Sequence, residues 1–308
     1  MGFAAEATDR QRLTTEGKRP AGALTLRSVA DELDWGDGDY GRTARTLQPV
    51  AEVVIDAAEI ARGEHVLDVA CGTGNAALAA AERGAGAVGI DPAEGLVGIA
   101  RERAVASGAE ASFIVGDAVD LPVADAAFDA VVSVFGVIFA PDADRAAAEL
   151  LRVTRAEGRV VIASWVPSGP ISAVGRALFT ALRPSPVAPP RWGDPEWVRE
   201  LLARHGAATV EVREHGLPFT AASPEAWFAD QEVHHPVWRW GRRQMTDERW
   251  GQLRAESIAL LSEANEDPGA FRTTSRYLVV TAHRSGTRAE GAAAYAGASS
   301  GAPGGGKA

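Results

Sequence analysis

Residues 66–77, VLDVACGTGNAA, constrain this chain more than any other stretch. Val66, Leu67 and Val69 read as a buried strand. The glycines break it, and the alanine-rich run after Asn75 reads as a helix. Asp91 then closes the next apolar run, Ala87–Ile90. Strand, glycine turn, helix, strand and acid is the order in which a doubly wound sheet grips an adenosine-containing ligand. Glycines permit positive φ and let a ligand touch the backbone. The helix N-terminus offers unpaired amides, and a carboxylate after the second strand can accept from both ribose hydroxyls.

The pattern continues. Helices are expected over Ala93–Ser107 and Ala143–Val153, and strands over Ser112–Val115, Ala130–Val134 and Arg159–Trp165. Strands alternating with helices specify a parallel α/β sheet. Beyond Trp165 prolines crowd residues 184–195 and the chain leaves the sheet. Pro195–His205 and Thr246–Ala264 read as helices, Thr209–Arg213 and Ser275–Ala282 as strands, so a lid-like insertion is expected between about 167 and 265. The glycine-, alanine- and serine-rich residues 285–308 read as a flexible tail.

Gly72-Thr73-Gly74-Asn75-Ala76-Ala77 fits G-x-G-x-x-A, which is equally a dinucleotide loop. Three features favour another ligand. Asp68, on the strand before the loop, suits an ammonium group and would repel a pyrophosphate. Asp117, after the third strand, can accept from an adenine amino group. The late excursion is unlike the second half of a dinucleotide domain. Bland readings stand beside these. Asp68 and Asp91 can be helix caps, Asp117 a turn former, and Cys71 a small residue in a tight loop.

VLDVACGTGNAALAAAERGAGAVGID, FIVGDAVDLPVADAAFDAVVSVFGVIFAPD and AAAELLRVTRAEGRVVIASW together resemble the class I S-adenosylmethionine-dependent methyltransferases. The likeness is to the type-11/type-25 small-molecule group that includes ubiquinone/menaquinone methyltransferase-like proteins. It covers roughly residues 40–166 and a final strand at 275–282. It implies a Rossmann-like doubly wound sheet of seven strands, with helices on both faces and a cap inserted after strand five. Residues 1–45 would form an N-terminal cover, 46–166 the cofactor-binding core, and 167–284 the cap with the last strands. By position, Asp68, Ala70, Gly72, Thr73 and Gly74 would hold the methionine part of S-adenosyl-L-methionine. Asp91 would take the ribose, with Pro92 beside it, and Asp117 and Ala118 the adenine. Ser133 and Val134 would line the methionine side, and Tyr40 and Thr43 would cover the cofactor.

The acceptor site is then expected in the cap, where Trp227, Phe228, Asp230, His234, His235 and Trp238 concentrate. An apolar or aromatic small molecule would suit such walls, with His234 or His235 as a base. The tryptophans can equally be packing the cap. Adjacent histidines without a third ligand do not suggest a metal, and His65, His205, His215 and His283 read as structural or exposed. A net charge of −10 argues against nucleic acid. No run of about 18 apolar residues implies a membrane span, and no signal-peptide core is visible, so a cytoplasmic location is expected. After the fourth strand the chain reads Ser-Val-Phe-Gly rather than Asn-Pro-Pro-Tyr, which also favours a small-molecule acceptor. The alternative function is a methyltransferase-fold protein that binds the cofactor and catalyses a cyclisation, or only binds.

Overall fold

The computed structural model describes residues 33–182 and 191–286. The rest of the expected N-terminal cover, the centre of the proline run and the expected tail from 287 lie outside the described residues. The elements are α1 (Tyr40–Ala57), β1 (His65–Val69), α2 (Asn75–Glu82), β2 (Gly86–Asp91), α3 (Glu94–Ser107), β3 (Ala111–Val115), β4 (Phe128–Val134) and α4 (Ala143–Val153). There follow β5 (Thr154–Trp165), α5 (Pro170–Leu182), α6 (Pro195–Arg204), β6 (Ala207–Ala221), α7 (Pro224–His234), α8 (Pro236–Arg243), α9 (Asp247–Glu263) and β7 (Phe271–Arg284).

The seven strands form one sheet in the order β3-β2-β1-β4-β5-β7-β6. β1 to β5 pair in parallel, while β7 runs antiparallel between β5 and β6. The chain steps outward from β1 to β3, returns, and steps the other way from β4 to β5. Right-handed crossovers in opposite directions put the connecting helices on opposite faces. The reversal falls between β1 and β4, the switch point where such sheets bind ligands. Val66, Leu67, Ala130, Val131, Val132, Val160, Val161 and Ile162 are fully buried, as the continuous apolar runs of a doubly covered sheet require.

Local chemistry sets several boundaries. Asp142 caps α4 by accepting from the Arg145 N–H at 3.0 Å. Asp194, before Pro195, accepts from the Glu196 and Trp197 N–H groups to start α6, and Ser223, before Pro224, accepts from Ala226 to start α7. β6 is far longer than the expected Thr209–Arg213. Gly216 and Pro218 read as breakers, yet β6 is the sheet's edge strand, where a missing N–H is tolerated.

The cap comes in two pieces. One is α5, directly after β5. The other is α7 to α9, between β6 and β7; α6 and β6, within the expected insertion, belong to the sheet layer. The last β5 pair is Trp165↔Tyr277, but β6 and β7 stay paired from Gly216↔Arg276 to Ala221↔Phe271. This two-stranded arm leads out to α7–α9. Val174, Leu178, Phe228, Trp238, Trp250 and Phe271 form a separate apolar cluster there. Phe228 and Trp238 meet edge-on at 5.1 Å, and the Trp250 indole donates to Glu232 Oε1 at 2.5 Å. Most of the cap's aromatic content is therefore packing.

Candidate active site

Two cavities meet at the carboxyl ends of β1 and β4. The smaller, about 540 Å³, is lined by Tyr40, Asp68, Ala70, Gly72, Thr73, Asp91, Pro92, Asp117, Ala118 and Val134. Ten of the thirteen cofactor residues expected from the sequence thus surround one space. Three do not reach it. Gly74 turns the chain at φ +84°, and a Cβ there would sit 2.8 Å from the Phe113 ring. Its role is close packing under the loop. Ser133 is fully buried; its hydroxyl donates to the Val69 carbonyl at 2.7 Å and accepts from the Val137 N–H at 3.0 Å. Thr43, one turn along α1 from Tyr40, lines the larger cavity instead.

The acids have structural partners as well as cavity faces. Asp68 Oδ2 accepts from the Ala77 N–H at 3.0 Å, capping α2 from the strand, while Oδ1 takes no protein hydrogen bond among the described residues. Asp91 accepts from the Gly72 N–H and the Ala93 N–H, both at 2.8 Å, pinning the glycine loop and the start of α3. Asp117 Oδ1 accepts from the Val119 N–H at 3.1 Å. The cap readings of Asp68 and Asp91 and the turn reading of Asp117 therefore hold together with their places on the wall. Burial pushes the Asp68 carboxyl up to about 7 and raises that of Asp91. It also raises the Tyr40 phenol and the Cys71 thiol, leaving Tyr40 a donor and Cys71 unreactive.

Asp34, Asp68, Asp91, Glu94 and Asp117 all face this cavity, and no lysine, arginine or histidine lines it among the described residues. Such a wall repels a pyrophosphate and favours a cation. Arg103, which the sequence did not single out, pins the loop from behind by donating to the Thr73 carbonyl, Thr73 Oγ1 and Asn75 Oδ1 at 2.6–3.0 Å.

The larger cavity, about 1150 Å³, shares Trp35, Tyr40, Leu47, Phe135 and Phe139 with the smaller. His234 and His235 are on its wall with Asp230, Trp227 and Trp238. His234 Nε2 lies 3.9 Å from Asp230 Oδ1. His235 caps α8, its Nδ1 accepting from the Val237 N–H at 3.3 Å, and burial pushes its imidazole down to about 4. Residues 33–39 strap the two cavities together. Asp37 receives Arg239 Nε at 2.9 Å and Arg243 Nη1 at 2.6 Å, and the Asp39 N–H donates to the His234 carbonyl at 3.2 Å. Trp35 packs on Phe139 at 4.9 Å and on Tyr40 at 6.3 Å.

Ala70 and Phe135 follow neighbouring strands, and both hold left-handed backbone, at φ +54° and +57°. Such conformations concentrate at functional sites. Gly136 fits between them because a Cβ there would come 2.4 Å from the Ala70 Cβ. Phe135, Trp165, Tyr277 and His215 all line the larger cavity. None was singled out from the sequence, and His215 had read as structural or exposed. The usable signal was the position of Phe135 and Trp165 just after or at the carboxyl ends of β4 and β5.

Residues 66–158 match the family model described as a methyltransferase domain. An uncharacterised protein of Mycobacterium tuberculosis is 36% identical over 199 residues, 62% of this chain and 70% of that protein. The demethylmenaquinone methyltransferase of Clavibacter sepedonicus is 33% identical over 206 residues, 61% of this chain and 78% of that protein. The solved YcgJ protein of Bacillus subtilis shares the fold, with a TM-score of 0.55 at 19% identity over 76% of this chain and 97% of its own. These likenesses, with the sheet order and the glycine loop at the switch point, show that the chain belongs to the class I S-adenosylmethionine-dependent methyltransferases.

Proposed function

We propose that this chain transfers a methyl group from S-adenosylmethionine to a small apolar or aromatic molecule held in the larger cavity. The observation that carries the reading is the all-acidic wall of the smaller cavity where it opens beside the larger one. Five carboxylates with no basic side chain beside them among the described residues suit a donor bearing ammonium and sulfonium charges, and do not suit a nicotinamide dinucleotide. The free Asp68 Oδ1 fits the ammonium, Asp91 and Asp117 fit the nucleoside, and the protonated Tyr40 phenol is a donor for the carboxylate.

The donor is chemically activated when bound, so this chain's task is alignment and exclusion of water. Tyr40, Trp35 and Phe139 close the seam between the cavities. For a hydroxyl acceptor, His234 is the better of the two expected bases. His234 lines the larger cavity near Asp230, whereas His235 has one nitrogen engaged and is held neutral by burial. Residues 46–166 would act as the donor-binding core and α5 with α7–α9 as the acceptor cap. Among the described residues no helix is long and apolar enough to cross a membrane, and a cytoplasmic place fits this reading.

Calorimetry with S-adenosylmethionine, S-adenosylhomocysteine and NAD tests the proposal. Binding of the first two without NAD is expected, and no affinity for either would refute it.

A further inference from the structure

α1 is built in two halves. Pro49 stands inside it without an N–H to give, and a proline takes one rung out of a helix and is where helices bend. After it, Val50, Ala51, Val54 and Ile55 are fully buried and anchor that half in the core. Before it, between Tyr40 and Gln48, Ala44 alone is buried. Yet this first half carries Tyr40, whose ring covers the glycine loop: a Cβ on Gly72 would lie 3.4 Å from Tyr40 Cε1. Two ties at its start, Arg42 to Asp230 at 2.6 Å and the Asp39 N–H to the His234 carbonyl, run to the cap and not to the loop.

Asn75, the first residue of α2, supplies the tie to the loop. Its Nδ2 donates to the Ala44 carbonyl at 2.7 Å, among the described residues the one hydrogen bond between Tyr40–Gln48 and residues 66–77. Its Oδ1 accepts from Arg103 Nη1 at 2.8 Å, and the same nitrogen holds the Thr73 carbonyl at 2.6 Å. A guanidinium only donates and a carbonyl only accepts, so a side-chain amide is the group that can join them. A carboxylate would serve Arg103 and repel the Ala44 carbonyl, and an alkyl group would serve neither. Ala44 follows Tyr40 by four residues, on the same face of the helix, and both line the smaller cavity.

Resting on the reading of that cavity as the donor site, we propose that Asn75 is a positioning residue for the donor. Braced by Arg103, it holds the first half of α1 on the glycine loop through the Ala44 carbonyl, and so keeps Tyr40 over Gly72. The donor then binds to a loop and a cover that are already joined, and less order has to be imposed when it arrives.

The test titrates S-adenosylhomocysteine by calorimetry into the full chain and its variants. Asn75→Asp keeps the acceptor for Arg103, suits the start of α2 as an acid and loses only the bond to Ala44. Asn75→Ala loses both bonds and adds no charge. Each should weaken binding about five-fold, the worth of one hydrogen bond. Tyr40→Ala should weaken binding too, and Asn75→Ala added to it should cost nothing more, because a residue that acts through another has no effect once that other is gone. Wild-type affinity in Asn75→Asp overturns the tether. A full five-fold loss from Asn75→Ala in the Tyr40→Ala background overturns the positioning role and makes Asn75, which also borders the cavity, a direct contact. Failure of the unaltered chain to bind S-adenosylhomocysteine overturns the donor-site reading instead.

Discussion

Asp68 puts one ionisable group on the wall of the smaller cavity, and its substitution by asparagine isolates that group. The carboxyl is wholly buried, and burial pushes it up to about 7. In the free protein it is then about one-tenth ionised at pH 6 and nine-tenths at pH 8. An ammonium ligand needs the ionised form. S-adenosylhomocysteine should therefore bind about ten-fold tighter at pH 8 than at pH 6, about 1.4 kcal/mol. Binding at pH 6 should release close to one proton, read by calorimetry in buffers of different ionisation enthalpy. Asp68→Asn keeps an oxygen for the Ala77 N–H but cannot ionise. Its affinity should be flat from pH 6 to 8 and, at pH 8, weaker by about 1.5–3 kcal/mol, the value of a charge-assisted bond. The free protein carries the opposite trend. Folded, it holds a proton that the unfolded chain gives up, so its stability falls as pH rises from about 4 to about 7, by as much as about 4 kcal/mol. Asp68→Asn should remove that decline from the melting profile. Equal wild-type affinities at pH 6 and 8, with no buffer-dependent heat, would show that Asp68 does not meet the ammonium.

Other perturbations separate scaffold from site. Ser133→Ala removes the hydroxyl that bridges the Val69 carbonyl and the Val137 N–H, leaving that buried N–H without its partner. It should lower unfolding free energy by about 1–3 kcal/mol in denaturant titration while changing S-adenosylhomocysteine affinity less than three-fold. Asp37→Ala frees the strap from Arg239 and Arg243. Two partly exposed ion pairs are worth about 0.5–1 kcal/mol each. Stopped-flow release of S-adenosylhomocysteine should accelerate roughly three- to ten-fold; an unchanged rate would mean the strap does not gate the donor.

The lining of the smaller cavity was legible because its chemistry is local. A glycine loop, the acids at two strand ends and the apolar strand runs all lie within residues 66–134 and announce themselves by spacing. Gly74 and Ser133 misled because a residue beside a site and a residue beneath it share the same sequence neighbourhood; only the Phe113 ring and the Val69 carbonyl tell them apart. The wall of the larger cavity was illegible for a different reason. Phe135 follows β4, while Trp165, Tyr277 and His215 come from β5, β7 and β6 and are in register only because β7 inserts between β5 and β6. No local period encodes that row. The length of β6 was hidden too, since Pro218 breaks a strand unless the strand is an edge.

The arm formed by β6 and β7 beyond the end of β5 carries a consequence for how such a protein can change over time. Residues 222–270 hang from the tip of one hairpin, the place where a chain tolerates replacement or lengthening at little entropic cost. The cap has its own apolar cluster, so it can be redrawn without disturbing the packing of β1, β2 and β4. Exchanges in this one stretch would reshape one wall of the larger cavity, while α5 and the acids that line the smaller cavity lie outside it.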